Sequence, residues 1–409
     1  MSKFLAIGTT FLFVTTGALA GGEHSNMLAL ANINSANQHQ IVGQSTPPDS
    51  DAWEQETIAF IESYQDRDIA QAKIHAQNAL QIAHKVYGAR HVNTADSLNK
   101  MGIVFEASGM LQQAQLNYEK SLEILIAELG EDHEDVSTAL NNLANLHSLL
   151  KNYDQAESMH LRALEIREKA SGDSLSAIGQ SAFNLALLYE KQARFDDAEL
   201  FFKQAILVWE TGQGNMSINI AKAVSNLANI YTVSGKHRAA EELHMRALNI
   251  RSANLGPNHI EVAESLFNLG TICSKQEKYN EAGPFFKEAL NIMERNLSPD
   301  DPQLAIALYS LANIYHIQAK NEEAYNQELK MRVHKVSDTH EHSPLEARWA
   351  SVFNNQLTHR NNYIENLYSK ARPLYQRALE IFRSAYGDNH PSVQVIREEY
   401  ALLAENTGK

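Results

Sequence analysis

The sequence has a single cysteine, Cys273, among 409 residues, so no disulfide can form within the chain. Its 9 prolines and 19 glycines are too few for long low-complexity stretches. No strand pattern, GxSxG, P-loop or strand-linked GxGxxG occurs, which removes the usual signatures of hydrolases and nucleotide-binding enzymes. The sequence therefore predicts no catalytic residue, no cofactor and no metal site, and a fold that depends on packing alone.

Basic residues are also scarce. Lysine and arginine number 35 against 49 aspartates and glutamates, which gives a formal net charge of −14. That balance favours solubility and disfavours general binding to nucleic acid or to anionic lipid. No apolar run after residue 20 is long enough to cross a bilayer, so we expect no membrane insertion once the N-terminus is removed.

The first 20 residues predict a signal peptide. Lys3 supplies a positive n-region, the stretch from Phe4 to Thr16 is mostly apolar, and Ala18-Leu19-Ala20 is a small-x-small cleavage pattern. Cleavage after Ala20 would leave a periplasmic or secreted protein, and an uncleaved anchor is the alternative. Residues 21–51 are polar and aperiodic, which indicates a flexible linker.

The rest of the chain repeats itself every 42 residues. The segment ALNNLANLH begins at Ala139, and related segments begin at Ser97, Ser181, Ala223, Ser265 and Ala307. Small residues form a second column in phase with the first, at Ala114, Ala156, Ala198, Ala240, Ala282 and Ala324. Spacings of three and four residues within each block predict amphipathic helices, and a fixed period over six copies predicts a stacked array.

Each repeat is expected to hold a helix A, a tight turn and a helix B. Glycines recur in phase where helix B should end, at Gly88, Gly130, Gly172, Gly214, Gly256 and Gly387. Two residues later stand side chains suited to capping the next helix A, namely Asp132, Ser174, Asn258, Asp300 and Asn389. Small residues such as Gly102 and Ala144 in helix A, and Ala156 in helix B, should let the two helices approach closely.

The pattern Leu-Ala-x-x-Tyr, a turn, Tyr-x-x-Ala-Glu and Ala-Leu-x-Ile resembles the tetratricopeptide repeat, and the 42-residue period resembles its kinesin-light-chain subtype. The resemblance implies an all-α, right-handed superhelical solenoid. We expect an array of about eight units over residues 52–389 and a C-terminal capping helix over 390–409. The unit near 338–388 is degenerate, with an expected turn at Asn361–Tyr363 and a five-residue insertion near Ile364–Tyr368.

An asparagine ladder follows helix A. Its first column holds Asn142, Asn184, Asn226 and Asn268, preceded by Lys100, and a second column one turn further on holds Asn145, Asn229 and Asn313. In tetratricopeptide domains helix A lines the concave groove, so the resemblance implies a peptide-binding groove built from these residues. A carboxamide donates and accepts, which suits an extended peptide backbone. The alternative is that these side chains bond the backbone of the neighbouring repeat and bind no ligand.

Histidines invite a metal hypothesis, but most have structural explanations. His91, His133, His259 and His390 share one loop position before helix A, where we expect a contact within the loop. The cluster His334, His340, Glu341, His342 and His359 lacks an HExxH or CxxC pattern, so a solvated loop is favoured over a zinc or copper site. Cys273 stands at the tyrosine position of helix A, where a buried, inert thiol is expected.

The sequence thus predicts a non-enzymatic scaffold that binds a protein or peptide in a concave groove. A structural adaptor that pairs through the ends or the convex face of the solenoid is the alternative. A third hypothesis is that the irregular region 337–368 serves a metal protein or an enzyme.

Overall fold

The structure, a computed structural model, describes residues 50–170, 175–337 and 344–406. This part of the chain contains fifteen α-helices and no β-strand. They are α1 (Ser50–Gln65), α2 (Ile69–Val86), α3 (Val92–Ala107), α4 (Leu111–Leu129), α5 (Glu134–Leu149), α6 (Tyr153–Lys169), α7 (Leu175–Lys191), α8 (Phe195–Gln213), α9 (Ile218–Val233), α10 (His237–Leu255), α11 (Ile260–Lys275), α12 (Tyr279–Asn296), α13 (Pro302–Ser337), α14 (Pro344–Tyr386) and α15 (Pro391–Asn406).

The helices fall into two compact units, one ending at residue 230 and the other beginning at residue 231. In the first unit α1 packs with α2, α3 with α4, α5 with α6 and α7 with α8, and each pair also contacts the next. In the second unit α11 packs with α12, α13 with α14, and α15 covers α14. Each unit is therefore a stack of helix pairs, and the all-α solenoid class is confirmed.

Small residues set the distance between the helices of a pair. A methyl group placed on Gly270 of α11 would lie 2.9 Å from the Phe286 ring of α12, closer than atoms can approach. Ala156 of α6 and Ala144 of α5 have no exposed surface. Helix A and helix B are thus in closest contact where one of them has a glycine or an alanine, as the repeated small residues predict.

A left-handed residue closes each tight turn between helix A and helix B, a feature that the sequence analysis missed. Positive φ angles recur every 42 residues, at Arg67, Gly109, Lys151, Ala193, Gly235 and Glu277. Only two of these residues are glycines, so composition gave no signal for the other four. Their strict period confirms the 42-residue register, because each turn occupies the same place in its repeat.

The N-terminal caps of helix A lie one residue later than predicted. In the repeats that begin at α3, α5 and α11, the cap is His91, His133 or His259, whose Nδ1 accepts a hydrogen bond from the backbone N–H two residues on. Asp301 takes the same position before α13 and accepts from Gln303 N–H at 2.8 Å. The predicted caps at Asp132, Asn258 and Asp300 are therefore wrong. Capping of helix A accounts for the histidines that recur at this position.

Buried arginines link helix B to the next helix A. The Arg167 guanidinium at the end of α6 donates to Ser137 Oγ, to Ser181 Oγ and to the carbonyl oxygen of Ala177. Arg251, two repeats on, donates to Ser265 Oγ at 2.8 Å. Burial lowers the pKa of Arg167 only to about 10, so the group stays charged at neutral pH. These hydrogen bonds fix the register between neighbouring repeats.

The region after residue 302 differs from the prediction. There is no turn at Asn361–Tyr363, because α14 runs without a break from Pro344 to Tyr386. Helix α13 likewise continues past the expected turn to Ser337, and Ala324 is exposed although its counterparts are fully buried. The interpretation of residues 338–388 as a separate degenerate unit, with five extra residues near Ile364–Tyr368, is therefore wrong.

One repeat is instead divided by an insertion. Ala371, Tyr375 and Ala378 of α14 are fully buried and repeat the spacing of Ala282, Phe286 and Ala289 in α12. Tyr375 packs against Tyr309 of α13 with ring centres 5.9 Å apart, as Phe286 packs against Phe267. The first part of α13 is thus helix A and the last part of α14 is its helix B. The 47 residues from 320 to 366 are inserted between them.

The first helix begins at Ser50, two residues before the predicted start of the array. The predicted signal peptide, nearly all of the predicted linker, and His340, Glu341 and His342 lie outside the described residues. Across the helices that are described, none combines the length and the apolar character needed to span a membrane.

A buried polar pair replaces an aromatic one in the α5–α6 repeat. His160 Nδ1 lies 2.7 Å from Asn141 Oδ1, at the positions that Phe202 and Phe183 occupy one repeat later. His160 is 1% exposed, and burial lowers its pKa to about 3. Because the folded chain holds this histidine neutral, its contribution to stability is complete above the unfolded pKa of about 6.5 and is lost as the pH falls towards 3.

We predict that the double variant Asn141→Phe/His160→Phe is less sensitive to acid than the natural protein. Between pH 7 and pH 5 the natural chain should lose about 2 kcal/mol of stability through His160 alone, and the variant should keep it. Urea unfolding at both pH values measures the difference. His244, whose pKa burial also lowers to about 3, remains in both proteins as an internal reference. Equal losses in the two proteins would contradict this assignment.

Candidate functional site

The predicted site residues all lie on helices of type A. In the first unit Lys100 is on α3, Asn142 and Asn145 are on α5, Asn184 is on α7, and Asn226 and Asn229 are on α9. In the second unit Asn268 is on α11 and Asn313 is on α13. Residues three positions apart in a helix lie on one side of it, so each repeat brings its two columns together.

Two members of the first column are buried and bonded within the protein. Asn142 is 5% exposed, and its Nδ2 donates to Asn99 Oδ1 of the preceding helix A at 2.9 Å. Asn184 is 6% exposed, and its Oδ1 accepts from Gln180 Nε2 at 2.7 Å. Asn142 therefore contacts the neighbouring repeat, but through a side chain and not through the backbone that the alternative named.

Lys100 is fully buried as well. Its ammonium group forms an ion pair with Asp96 and lies 6.0 Å from the centre of the Trp53 ring of α1. The Trp53 indole donates to Ser97 Oγ at 2.9 Å, which holds the ring over this part of α3. Lys100 thus contributes to the packing of the first two repeats, and Trp53 separates it from solvent.

The remaining asparagines are more accessible. In the first unit Asn145 and Asn226 are half-buried, and in the second unit Asn268 and Asn313 are half-buried. The Oδ1 atoms of Asn229 and Asn313 have no hydrogen-bond partner among the described residues. Such an oxygen is a hydrogen-bond acceptor whose capacity is unused. The accessible carboxamides are therefore those of Asn145, Asn226, Asn268 and Asn313, whereas Asn142, Asn184 and Asn229 are buried.

A charged recess continues the face of α7. Lys191 follows Asn184 by seven residues, or two helical turns, and its Nζ lies 3.4 Å from Ser148 Oγ of α5. Desolvation lowers the pKa of Lys191, although the side chain is exposed, and raises that of the half-buried Glu190 to about 7. An exposed group that is nevertheless desolvated lies in a concave surface. The sequence analysis missed Lys191, and its two-turn spacing from Asn184 was the available signal.

One set of possible metal ligands occurs among the described residues, formed by Glu241, Cys273 and Glu281. The Glu241 carboxylate already accepts hydrogen bonds from Gln276 Nε2 at 2.8 Å and Lys278 Nζ at 3.1 Å. Cys273 is fully buried, and burial raises the pKa of its thiol to about 11. A thiol that stays protonated is a poor ligand, so this set is better explained by its internal contacts. Cys273 is the buried thiol that the sequence predicts.

The pattern of the tetratricopeptide repeat matches residues 52–127, 117–169, 135–210, 219–295, 269–327 and 364–392. The chain belongs to the tetratricopeptide repeat family. Arrays of this family are protein-interaction scaffolds, and their solenoid is typical of proteins without catalytic activity. The tetratricopeptide matches leave a gap between residues 327 and 364, where the structure has the insertion. A search of the curated proteins finds no match.

One solved structure supports the same fold, and two more resemble parts of the chain. A signal transduction ATPase of the STAND class with a tetratricopeptide repeat sensor, from Pyrococcus horikoshii, aligns with 94% of this chain and 52% of its own, with a TM-score of 0.54 and 13% identity. BtubC from P. vanneervenii aligns with 57% of this chain and 94% of its own, with a TM-score of 0.47 and 20% identity. A putative kinesin light chain from Podospora anserina aligns with 51% and 99%, with a TM-score of 0.43 and 16% identity. At these identities the likeness concerns the fold alone.

Proposed function

We propose that the helix A face of this tetratricopeptide array binds an extended peptide of a partner protein. The observation that supports the proposal is the accessibility of Asn145 and Asn226 in the first unit, together with the charged residues Glu190 and Lys191, of which Lys191 contacts Ser148 one turn from Asn145. A half-buried carboxamide binds backbone N–H and C=O groups without regard to peptide sequence. The charged recess supplies selectivity, since it favours partners that place a polar or charged side chain there.

The internally bonded asparagines have a different role in this proposal. Asn142 and Asn184 order the helix A face, because their hydrogen bonds to Asn99 and Gln180 fix the side chains between the accessible ones. A ligand would have to break these bonds to reach them. The binding set is therefore narrower than the eight residues named from sequence.

The double variant Asn145→Ala/Asn226→Ala tests the proposal. Each lost hydrogen bond is expected to cost about 0.5–1.5 kcal/mol, so affinity for a partner captured from a cell extract should fall about fivefold or more, with unchanged thermal unfolding. Asn142→Ala is the matched control, since it removes an asparagine that is bonded internally. It should lower the melting temperature and leave the affinity of the folded protein intact.

Two outcomes would contradict peptide binding by the accessible asparagines of the helix A face. Unchanged affinity in Asn145→Ala/Asn226→Ala would mean that the partner binds elsewhere. Affinity that is lost in Asn142→Ala while its melting temperature stays the same would assign binding to the buried column instead. Isothermal titration and thermal melts of the same preparations separate the two results.

One observation favours the alternative, an adaptor that pairs through the convex face. Leu200 and Leu207 of α8 are 61% and 64% exposed, and seven residues place them on one side of the helix. Exposed leucines at this spacing are typical of a surface that contacts another helix. If a captured partner is lost with Leu200→Asp/Leu207→Asp and kept with Asn145→Ala/Asn226→Ala, the convex face is the binding surface.

We also propose that the protein acts outside the cytoplasm, after removal of residues 1–20. Lys3, the apolar stretch from Phe4 to Thr16 and Ala18-Leu19-Ala20 support export. N-terminal sequencing of protein isolated from its native host should begin at Gly21. A protein that begins near Met1 and is recovered from the cytosol would contradict both export and a periplasmic or secreted location.

A further inference from the structure

The insertion between helix A and helix B of the last complete repeat has a surface unlike that of the array. Its helical parts, residues 320–337 of α13 and 344–366 of α14, are named here the inserted hairpin. The tetratricopeptide pattern neither requires nor matches most of this segment, which separates the matches ending at residue 327 and beginning at residue 364. Packing of the array therefore does not account for it.

Polar contacts join the two arms of the hairpin. Asn326 Nδ2 donates to Asn361 Oδ1 at 3.2 Å, and the Arg360 guanidinium donates to Glu322 at 2.9 Å. The same guanidinium stacks on the Tyr325 ring, 4.2 Å from its centre. On α14 the buried side chains between residues 351 and 369 are Leu357, Ile364, Leu367 and Tyr368. These contacts define the face of α14 that is turned towards α13.

Between residues 351 and 369 the outer surface of α14 is almost without charge. Thirteen residues between 351 and 369 are exposed, and Glu365 alone among them is ionic. They are Ser351, Val352, Asn354, Asn355, Gln356, Thr358, His359, Asn361, Asn362, Tyr363, Glu365, Asn366 and Ser369. In the whole chain 21% of residues are charged, and solvated helix surfaces carry more. Depletion of charge with retention of an exposed tyrosine is characteristic of protein interfaces.

Within this surface four residues follow the spacing of a helix-pairing stripe. Val352, Gln356, His359 and Tyr363 are separated by four, three and four residues, which is the a/d spacing of a coiled coil. They lie about 100° around α14 from the face that contacts α13. Val352 and Tyr363 at the two ends are each 47% exposed. Helix α14 thus has a second helix-pairing face that nothing in the described chain covers.

We propose that this stripe, Val352–Gln356–His359–Tyr363, is a self-association surface that pairs two copies of the chain in antiparallel orientation. The stripe is symmetric about its midpoint between residues 357 and 358. A two-fold axis there places Val352 of each copy against Tyr363 of the other, and Gln356 against His359. Each end then forms an apolar contact and the centre forms a polar one that fixes the register.

Charge favours a second copy as the occupant. A protein with a formal net charge of −14 repels itself over most of its surface, so two copies approach with least cost where charge is absent. The exposed surface of α14 between residues 351 and 369, where Glu365 is the one ionic residue among the exposed ones, is nearly such a surface. Self-complementarity is the second argument, because the stripe is apolar at both ends and polar at its centre and therefore matches a second copy of itself, and a two-fold axis across the helix sets the two copies antiparallel. Two hairpins joined in this way would form a four-helix arrangement.

Charge-exchange variants test both the surface and the register. The mass of the purified protein is measured by sedimentation equilibrium over a range of concentrations. Val352→Glu alone and Tyr363→Lys alone should each weaken dimerisation about tenfold or more. The double variant Val352→Glu/Tyr363→Lys should restore it, because each glutamate then meets a lysine of the other copy. Asn354→Lys, about 200° around the helix from Val352, is the control and should dimerise like the natural protein.

Three outcomes would overturn the proposal. A natural protein that is monomeric at every concentration up to its solubility limit would exclude a second copy as the occupant. Dimerisation unaffected by both single variants, with unchanged circular dichroism, would place the interface elsewhere. Failure of the double variant to recover, while both single variants weaken dimerisation, would reject the antiparallel register.

Discussion

The close approach of helix A to helix B at one small residue is the contact on which the rest of the structure depends. Gly270 lies against the Phe286 ring with no room for a methyl group, and Ala144 and Ala156 have no exposed surface. Because the two helices meet here, the larger side chains around the contact fill the remaining space at interior density. Each repeat can then stack on the next through a similar surface along the array.

Stacking is specified by polar groups as well as by shape. Arg167 and Arg251 donate to serines of the next helix A, and the histidine caps hold the start of helix A in place. A buried guanidinium that lost its acceptors would be costly, so these bonds penalise any slip between neighbouring repeats. The helix A face can therefore present side chains at regular intervals, which is what binding of an extended peptide requires.

Much of the fold could be predicted from the sequence because its determinants are local and repeat. The alanine and glycine columns identify the helix–helix contact, and the six in-phase copies identify the array. The caps were misassigned because aspartate and asparagine are the usual capping residues, whereas His133 caps through a ring nitrogen. The exposure of the asparagines was not predictable, since Asn142 and Asn145 differ by little in helix position and only the structure shows that Asn142 is bonded to Asn99.

The insertion could not be recognised in the sequence because its length is close to that of one repeat. Ala371 follows the position of Ala324 by 47 residues, which is one period of 42 plus five. A sequence pattern therefore reads it as an additional unit with five extra residues. The structure distinguishes an additional repeat from an insertion within one repeat, because Ala324 is exposed whereas Ala371 is fully buried. Pro373 confirms this register, since it matches Pro284 of α12 at the same place in helix B.

Deletion of residues 320–366 tests the central claim most directly, namely that α13 and α14 contain the two halves of one repeat. Joining Ala319 to Leu367 restores the ordinary spacing between helix A and helix B. Hydrogen exchange of the shortened chain should show unchanged protection in α11, α12 and α15, and in the retained ends of α13 and α14. Loss of protection across these helices would show that the inserted residues are an integral part of the array, and would contradict the account.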